Sequence, residues 1–271
     1  MSPSNSRAVA IVSVTVGLAA MLTACHAKPL PIRFAPAGTD RARLRSEFPL
    51  SDAERRMLTP DAIKGLNQEQ VDQIYERLSA GPLPDGPFRG DLFFPRDSKG
   101  HARVSDLVTP VPPLLAHVAA LDAERLGRAL WKGKVFFRSQ GILRNRIDDL
   151  AILKPIFPDS GTIPKLTFDG QTTWLLFPAK VSCGDSRLDP SRRSIVIDYS
   201  RGSEVEGYRE IPDKLAGPEA LNIRDEVRVI RPGFYLGRAY FGAKFGLNFT
   251  LIAPEPGAPT DIQQDCDATH G

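Results

Sequence analysis

The hydrophobic period of this chain changes at Trp131, from the spacing of helices to that of strands. Beyond Trp131, polar and apolar side chains alternate over 132–138, and short strand-like segments follow, of which 193–199 and 226–230 are examples. Glycine and proline turns separate these segments, and most have no helical pattern between them. Strands connected by short turns pair antiparallel. We therefore expect residues 131–271 to form a largely antiparallel, curled β-sheet or barrel.

Two places in this part carry the clearest strand signals. Segments 165–168 and 171–177 flank Asp169-Gly170, a dipeptide typical of tight hairpin turns. Farther on, the meander DEVR…GFYLGRAYFG…LNFTL within 225–251 weakly resembles the closing strands of small lipocalin-like barrels, which implies a barrel here. Gly237 interrupts this meander, and it predicts a bulge, a barrel corner or the close approach of a ligand.

Residues 40–130 carry helical signals instead. Ser51 and Glu54 have capping-box spacing, and apolar residues within 68–78 recur every three or four positions. Residues 112–131 predict an amphipathic helix lying on the sheet. The expected fold class is α+β, with short N-terminal helices and one amphipathic helix packed on the sheet. Parts 40–130 and 131–271 are expected to form one folded unit.

The N-terminus has the pattern of an export signal. Ala8 to Ala24 is an uncharged apolar run after Arg7, and it is short for spanning about 30 Å of hydrocarbon. Its end, Leu22-Thr23-Ala24-Cys25, resembles the lipobox of bacterial lipoprotein precursors. That resemblance implies cleavage of residues 1–24, lipidation of Cys25 and, with His26 rather than Asp next, an outer-membrane location facing the periplasm. Residues 25–39 are rich in proline and predict an extended, mobile tether.

Once Cys25 is assigned to the lipid, two cysteines remain, Cys183 and Cys266. An even pair in an exported protein predicts one disulfide, and the alternative is two unpaired buried thiols.

Several classes of chemistry find little support in the sequence. The four histidines are isolated and no HExxH or CxxC occurs, so we expect no metal. No phosphate-binding or dinucleotide fingerprint is present, so no cofactor is expected. The net charge is only +3, and Lys132, Lys134, Arg138, Arg144 and Arg146 are expected to form a solvated outer sheet face. We therefore expect no nucleic-acid partner, and weak interaction with anionic lipid headgroups is the alternative.

One set of residues suggests catalysis. Gly184-Asp185-Ser186 resembles the nucleophile block of GDSL-type esterases, and Asp267-Ala268-Thr269-His270 matches their terminal DxxH. The resemblance implies Ser186 as nucleophile, His270 as base and Asp267 as its partner, brought near by a Cys183–Cys266 bridge. Those enzymes, however, carry the serine after the first strand of a parallel sheet, whereas Ser186 follows a hairpin beyond the middle of this chain.

The leading functional hypothesis is an envelope-anchored lipoprotein that binds an apolar small molecule or lipid in its barrel. Six aromatic residues are candidates to line the cavity or simply to fill the core: Phe168, Trp174, Phe177, Tyr235, Tyr240 and Phe249. The first alternative is a structural or interaction protein that docks an envelope protein through helix 68–78 or loop 81–95. The second alternative is the serine esterase.

Overall fold

The computed structural model describes residues 32–94, 104–107, 122–153, 161–168, 170–254 and 265–267. The predicted signal peptide, the lipobox with Cys25, and all four histidines lie outside these residues. In the described part, the strands are β1 (Gly86–Phe93), β2 (Gly133–Phe137), β3 (Ile142–Ile147), β4 (Lys165–Phe168), β5 (Gln171–Asp185), β6 (Arg193–Asp198), β7 (Ile223–Arg231), β8 (Phe234–Phe241) and β9 (Lys244–Ile252).

Eight of these strands close into an antiparallel barrel. The order around it is β3-β2-β1-β9-β8-β7-β6-β5, and β5 pairs back with β3 to complete the ring. Apart from β4, each strand pairs with its neighbours in sequence, which is an up-and-down arrangement. The expected antiparallel barrel is confirmed.

Strand β4 lies outside the ring and forms the hairpin predicted at Asp169-Gly170. Phe168 is paired with Gln171, and Gly170 has a positive φ of 73°. Strand β5 pairs with β3 along one edge, and along the other edge first with β4 and then with β6. A bend at Phe177, whose φ is +51°, accompanies a register shift against β3.

Helices cover part of the outer wall and the ends of the barrel. In the described part they are α1 (Arg41–Glu47), α2 (Asp52–Met57), α3 (Pro60–Lys64), α4 (Gln68–Glu76), α5 (Val104–Leu107), α6 (Ala123–Leu130) and α7 (Glu210–Asp213). None of these helices is long and apolar enough to span a membrane. Of the amphipathic helix predicted over 112–131, the described part is α6, and residues 108–121 lie outside the description.

Local side-chain bonds explain where the N-terminal helices begin. Ser51 and Glu54 form a reciprocal capping box at α2, and Asn67 and Gln70 form another at α4. Thr59 caps α3, whose first residue is Pro60. These helices are short, so they depend on packing against the barrel for their stability.

Two hydrophobic cores hold the fold together. The first fills the barrel, and the second lies between α3, α4 with their flanking residues and the outer face of the wall. In the second core, Val71, Ile74, Tyr75 and Leu78 are fully buried. The helix 68–78, proposed from sequence as an exposed docking surface, therefore has its apolar stripe against the barrel. The predicted loop 81–95 is mostly strand β1.

The end of the predicted tether is part of the folded domain. Ile32 and Ala35 are buried, and the side-chain amide of Gln73 both donates to and accepts from the backbone of Ala35 at 3.0 Å. Arg77 donates to the carbonyl of Arg33 at 2.9 Å. The prediction of a mobile tether is wrong for Ile32 to Ala35, because bonds with α4 more than 35 residues away hold this segment.

Candidate functional site

The predicted disulfide closes one end of the barrel. Cys183 at the end of β5 is bonded to Cys266, with their Cα atoms 5.3 Å apart. The backbone amide of Cys266 donates to the carbonyl of Gly81, and the Asp267 carboxylate accepts from the amide of Gly81 at 2.8 Å. Cys266 is completely buried. The C-terminal segment is thus held across this end of the barrel.

The residues of the esterase hypothesis have other partners. Ser186 is buried, and its Oγ lies 2.9 Å from Oε2 of Glu226. Asp267 accepts hydrogen bonds from backbone amides. His270 lies outside the described residues. Within the described part of the chain, the side-chain partner of Ser186 is therefore the carboxylate of Glu226, not the imidazole that the esterase hypothesis requires.

A buried cation occupies the middle of the barrel. The Nζ of Lys134 donates to Asp225 Oδ2 at 2.8 Å, to Asn145 Oδ1 at 3.0 Å and to the Tyr199 hydroxyl at 2.5 Å. Three rings surround this ammonium at 5.2–5.4 Å, those of Trp131, Tyr199 and Phe249. Burial lowers the pKa of Lys134, while the nearby Asp225 carboxylate opposes that change.

The prediction that five basic residues form a solvated outer face is therefore wrong for three of them. Lys134 points into the barrel rather than to solvent, and Arg144 and Arg146 are also buried. Arg144 donates to the carbonyl of Glu206, and the ring of Phe168 lies 3.9 Å from the guanidinium carbon of Arg146. These three residues are buried because segments that are distant in sequence cover them, and sequence alone does not show those contacts.

The six aromatic cavity candidates are dispersed. Tyr235 and Phe249 are inside the barrel, whereas Tyr240 lies on its outer wall beside Arg238. Phe168 covers Arg146, Phe177 is at the bend of β5, and Trp174 is half-buried.

The interior around Tyr235 and Phe249 is closely packed. Phe88 makes edge-to-face contacts with Phe136 and Tyr235, with ring centroids 5.5 and 5.7 Å apart. The core side chains around these rings are buried with little residual exposure. Phe249 also explains Gly237, because its ring lies where a Cβ on residue 237 would be. The close approach at Gly237 is therefore made by this chain's own side chain.

An open cleft lies on the outer side of the barrel wall. A cleft of about 560 Å³ lies between α1, α4 and the loop at 189–191. The α4 side of this cleft presents Glu69, Asp72, Gln73 and Glu76, which recur at helical spacing along one face. The sequence signal was present, as the polar complement of the apolar stripe in helix 68–78, but sequence alone does not show that the polar face lines a cleft.

Glu76 is the unusual residue of this cleft. Its side chain is 1% exposed, and neither carboxylate oxygen accepts a hydrogen bond from a described residue. The nearest cations are Arg45 Nη1 at 3.6 Å and Arg228 Nη1 at 4.0 Å. Burial raises the pKa of Glu76 above its ordinary value of 4.5, against the attraction of Arg228. A buried carboxylate without donors is costly, so this position favours an added donor.

Most of the charged side chains that line the cleft are acidic, and two of them have an arginine behind them, Arg238 at Asp72 and Arg228 at Glu76. Asp40, Glu69, Asp72 and Asp189 line it with Glu76, against Arg41 and Arg45. Arg45 Nη1 also donates to Asp189 Oδ2 at 2.8 Å, so the chain's own guanidinium already sits among these carboxylates. Within the described residues, no three acidic or cysteine side chains are arranged to hold a metal ion.

Comparison with known proteins adds little to this geometry. No protein-family profile matches the chain, and no curated protein matches it. Among solved structures, a protein from Thermomonospora curvata aligns with 76% of this chain and 100% of its own, at 16% identity and a TM-score of 0.39. A likeness this distant supports no statement about the fold or function of this chain.

Proposed function

We propose that this protein is a lipid-anchored envelope protein that binds a small molecule carrying an ammonium or guanidinium group in the Glu76 cleft. The observation that carries the proposal is Glu76 itself, a buried carboxylate whose two oxygens lack hydrogen-bond donors. A cationic ligand would supply those donors. Charge-assisted hydrogen bonds of this kind are the strong ones in protein recognition.

The cleft is a better location for a ligand than the barrel interior. An apolar ligand inside the barrel would have to displace the rings around Tyr235 and Phe249 or the Lys134–Asp225 pair. In the cleft, by contrast, about 560 Å³ is open, which is within the range of small-molecule sites. The ligand class changes accordingly, from apolar to cationic.

Two observations support the envelope part of the proposal. The Leu22-Thr23-Ala24-Cys25 sequence has the features of a lipidation signal. The Cys183–Cys266 disulfide is of the kind that persists in oxidising compartments such as the periplasm. Together they favour a domain exported and then held at the outer membrane through Cys25.

Ligand binding is tested on the purified, lipidated protein in detergent micelles. The probes are putrescine and agmatine, with hexanoate as an apolar anion, and calorimetry measures their affinities. We expect at least one cation to bind and the variant Glu76→Gln to weaken it about tenfold or more. The matched control is Glu204→Gln, because Glu204 is an exposed carboxylate paired with Arg201. Equal affinity in wild type and Glu76→Gln, or no binding of any cation, would overturn the proposal that the cleft is the binding site.

The anchor is tested separately by labelling cells with an alkyne fatty acid. The wild type should take up the label and sediment with membranes. Cys25→Ser should lose the label, since its hydroxyl does not replace the thiol in lipidation. A labelled Cys25→Ser variant would contradict the assignment of Cys25.

A further inference from the structure

The place where the chain enters the folded domain is close to the predicted anchor in sequence. Ile32 is buried in the second core, and the amide of Arg33 donates to Glu54 Oε1 at 3.3 Å. Six residues separate Cys25 from Ile32. Even fully extended, this stretch reaches at most about 25 Å. A lipid on Cys25 therefore requires Ile32 to stay within that distance of the bilayer surface.

The surface beside this entry point has the composition of a membrane-contact site. A groove of about 580 Å³ is lined by Arg33, Ser51, Ala53, Glu54, Arg56 and Met57. Met57 is 51% exposed, and in the described residues only Ile211, at 41%, is a comparably exposed large apolar side chain. Arg33 and Arg56 are both exposed. An apolar side chain flanked by arginines suits the boundary between lipid headgroups and acyl chains.

The carboxylates nearby leave these arginines available. Glu54 is buried and accepts hydrogen bonds from the amide and hydroxyl of Ser51 as well as from the amide of Arg33. Asp52, the other acidic residue of α2, does not line the groove. The charges that the groove presents to solvent are therefore mainly those of Arg33 and Arg56.

We propose that this groove, the α2 groove, docks the domain on its own membrane by binding the headgroup of an anionic phospholipid. Arg33 and Arg56 would contact the phosphate, and Met57 would insert at the acyl boundary. The inference rests on the lipid anchor of the proposed function, because the short connection from Cys25 supplies the high local concentration. It replaces the expectation of an extended, mobile tether over the whole of residues 25–39.

Docking in this way fixes which end of the barrel faces the membrane. Helix α2 lies at the C-terminal end of β7, where Arg55 donates to the carbonyl of Ile230 and Arg231 to that of Arg55. Ile211 lies in the segment that leads into the opposite, N-terminal end of β7. The end near α2 would face the membrane, and the end near Ile211 would face away.

Met57 provides a direct probe of this arrangement. The chain has three methionines, and Met1 and Met21 belong to the predicted signal peptide, so Met57 alone would remain in the processed protein. The lipidated protein is reconstituted in phosphatidylglycerol-containing vesicles and in phosphatidylcholine vesicles. Hydrogen peroxide then oxidises the accessible thioether, and the intact mass reports one added oxygen. We expect oxidation about tenfold slower on the anionic vesicles than on the neutral ones.

Two sets of variants make the result specific to the groove. Arg33→Ser combined with Arg56→Ser should restore fast oxidation on anionic vesicles. Arg201→Ser combined with Lys214→Ser removes the same charge from one exposed and one half-buried position between β6 and β7, and it should leave the protection intact. Ile211→Met adds a second methionine, located by peptide mapping, which should be oxidised at the same rate on both vesicles.

Each other outcome contradicts a defined part of the proposal. A lipidated protein whose Met57 is oxidised equally fast on both vesicles overturns docking but leaves the anchor. Equal protection of Met57 and of the methionine at 211 overturns the α2 groove as the contact surface. Protection of Met57 on neutral vesicles, or protection that survives loss of both arginines, overturns the proposal that the groove binds an anionic headgroup. An intact mass without lipid on Cys25 overturns the anchor and docking together.

Discussion

Lys134 and Asp225, 91 residues apart in sequence, form an ion pair inside the barrel with Nζ 2.8 Å from Oδ2. Both side chains are at most 5% exposed. A pair in this position joins β2 to β7 across the interior. Its energetic role depends on both partners, because each charge alone would be buried without compensation.

Removal of one partner should therefore destabilise the fold strongly. We expect Lys134→Met to lower the free energy of unfolding by about 3–5 kcal/mol, since it leaves the Asp225 carboxylate buried and unpaired. Lys134→Met combined with Asp225→Leu should regain most of that loss, because no buried charge remains. Urea denaturation measures both effects, and a Lys134→Met variant as stable as the wild type would contradict them.

The disulfide should contribute stability through the length of the chain that it closes. Cys183 and Cys266 are 83 residues apart, for which the chain-entropy estimate is about 4 kcal/mol. Replacing both cysteines by serine should lower the unfolding free energy by an amount of that order. Reductant should destabilise the wild type similarly and leave the double-serine variant unchanged. If reductant destabilised that variant as well, its effect on the wild type could not be assigned to this disulfide.

Gly237 should tolerate no side chain as long as Phe249 is present. A Cβ at residue 237 would overlap the Phe249 ring, which also packs on Trp131. Gly237→Ala should cost about 1–3 kcal/mol of stability. Gly217→Ala is the matched control, because its Cβ would meet only the Lys214 carbonyl at 3.4 Å. Adding Phe249→Leu to Gly237→Ala should cost less than the sum of the single changes.

Glu76 should make the ligand-free protein less stable as pH rises. Its pKa is raised in the folded state, so the folded protein binds a proton that the unfolded chain has lost above about pH 4.5. This contribution to stability is complete at low pH and decreases as the pH rises toward the folded-state pKa. The stability of Glu76→Gln relative to the wild type should therefore increase as the pH rises above about 4.5, as measured by urea denaturation.

Glu54 has a pKa shift in the opposite direction to that of Glu76. Burial acts to raise its pKa, but hydrogen bonds from Ser51 and from the Arg33 amide outweigh burial and lower it. The stabilisation from this carboxylate is present above pH 4.5 and is lost as the pH falls through its lowered pKa. Glu54→Gln should therefore lose stability relative to the wild type as pH rises. Parallel pH profiles for the two variants would contradict the assignment of at least one of the two pKa shifts.

Burial of polar residues was the part of the fold that the sequence did not reveal. Alternation places Lys134 and Phe136 on one face of β2, but it does not say which face is inside. Lys134 is a charged residue, and such residues lie outside unless they are paired. Its partner Asp225 comes from β7, and no local pattern links the two. The same reasoning applies to Glu76, whose surroundings combine α1, α4 and β7.

The sequence by itself determined the features that depend on near neighbours. The two-residue period after Trp131 and the turns between segments specify antiparallel strands, and Asp169-Gly170 specifies the β4–β5 hairpin, because both signals act within a few residues. Only the tertiary structure decided which side chains enter the barrel, that Phe249 requires glycine at 237, and that Ile32 to Ala35 pack on α4. Those outcomes depend on contacts between segments far apart in the chain, which become defined when the barrel closes.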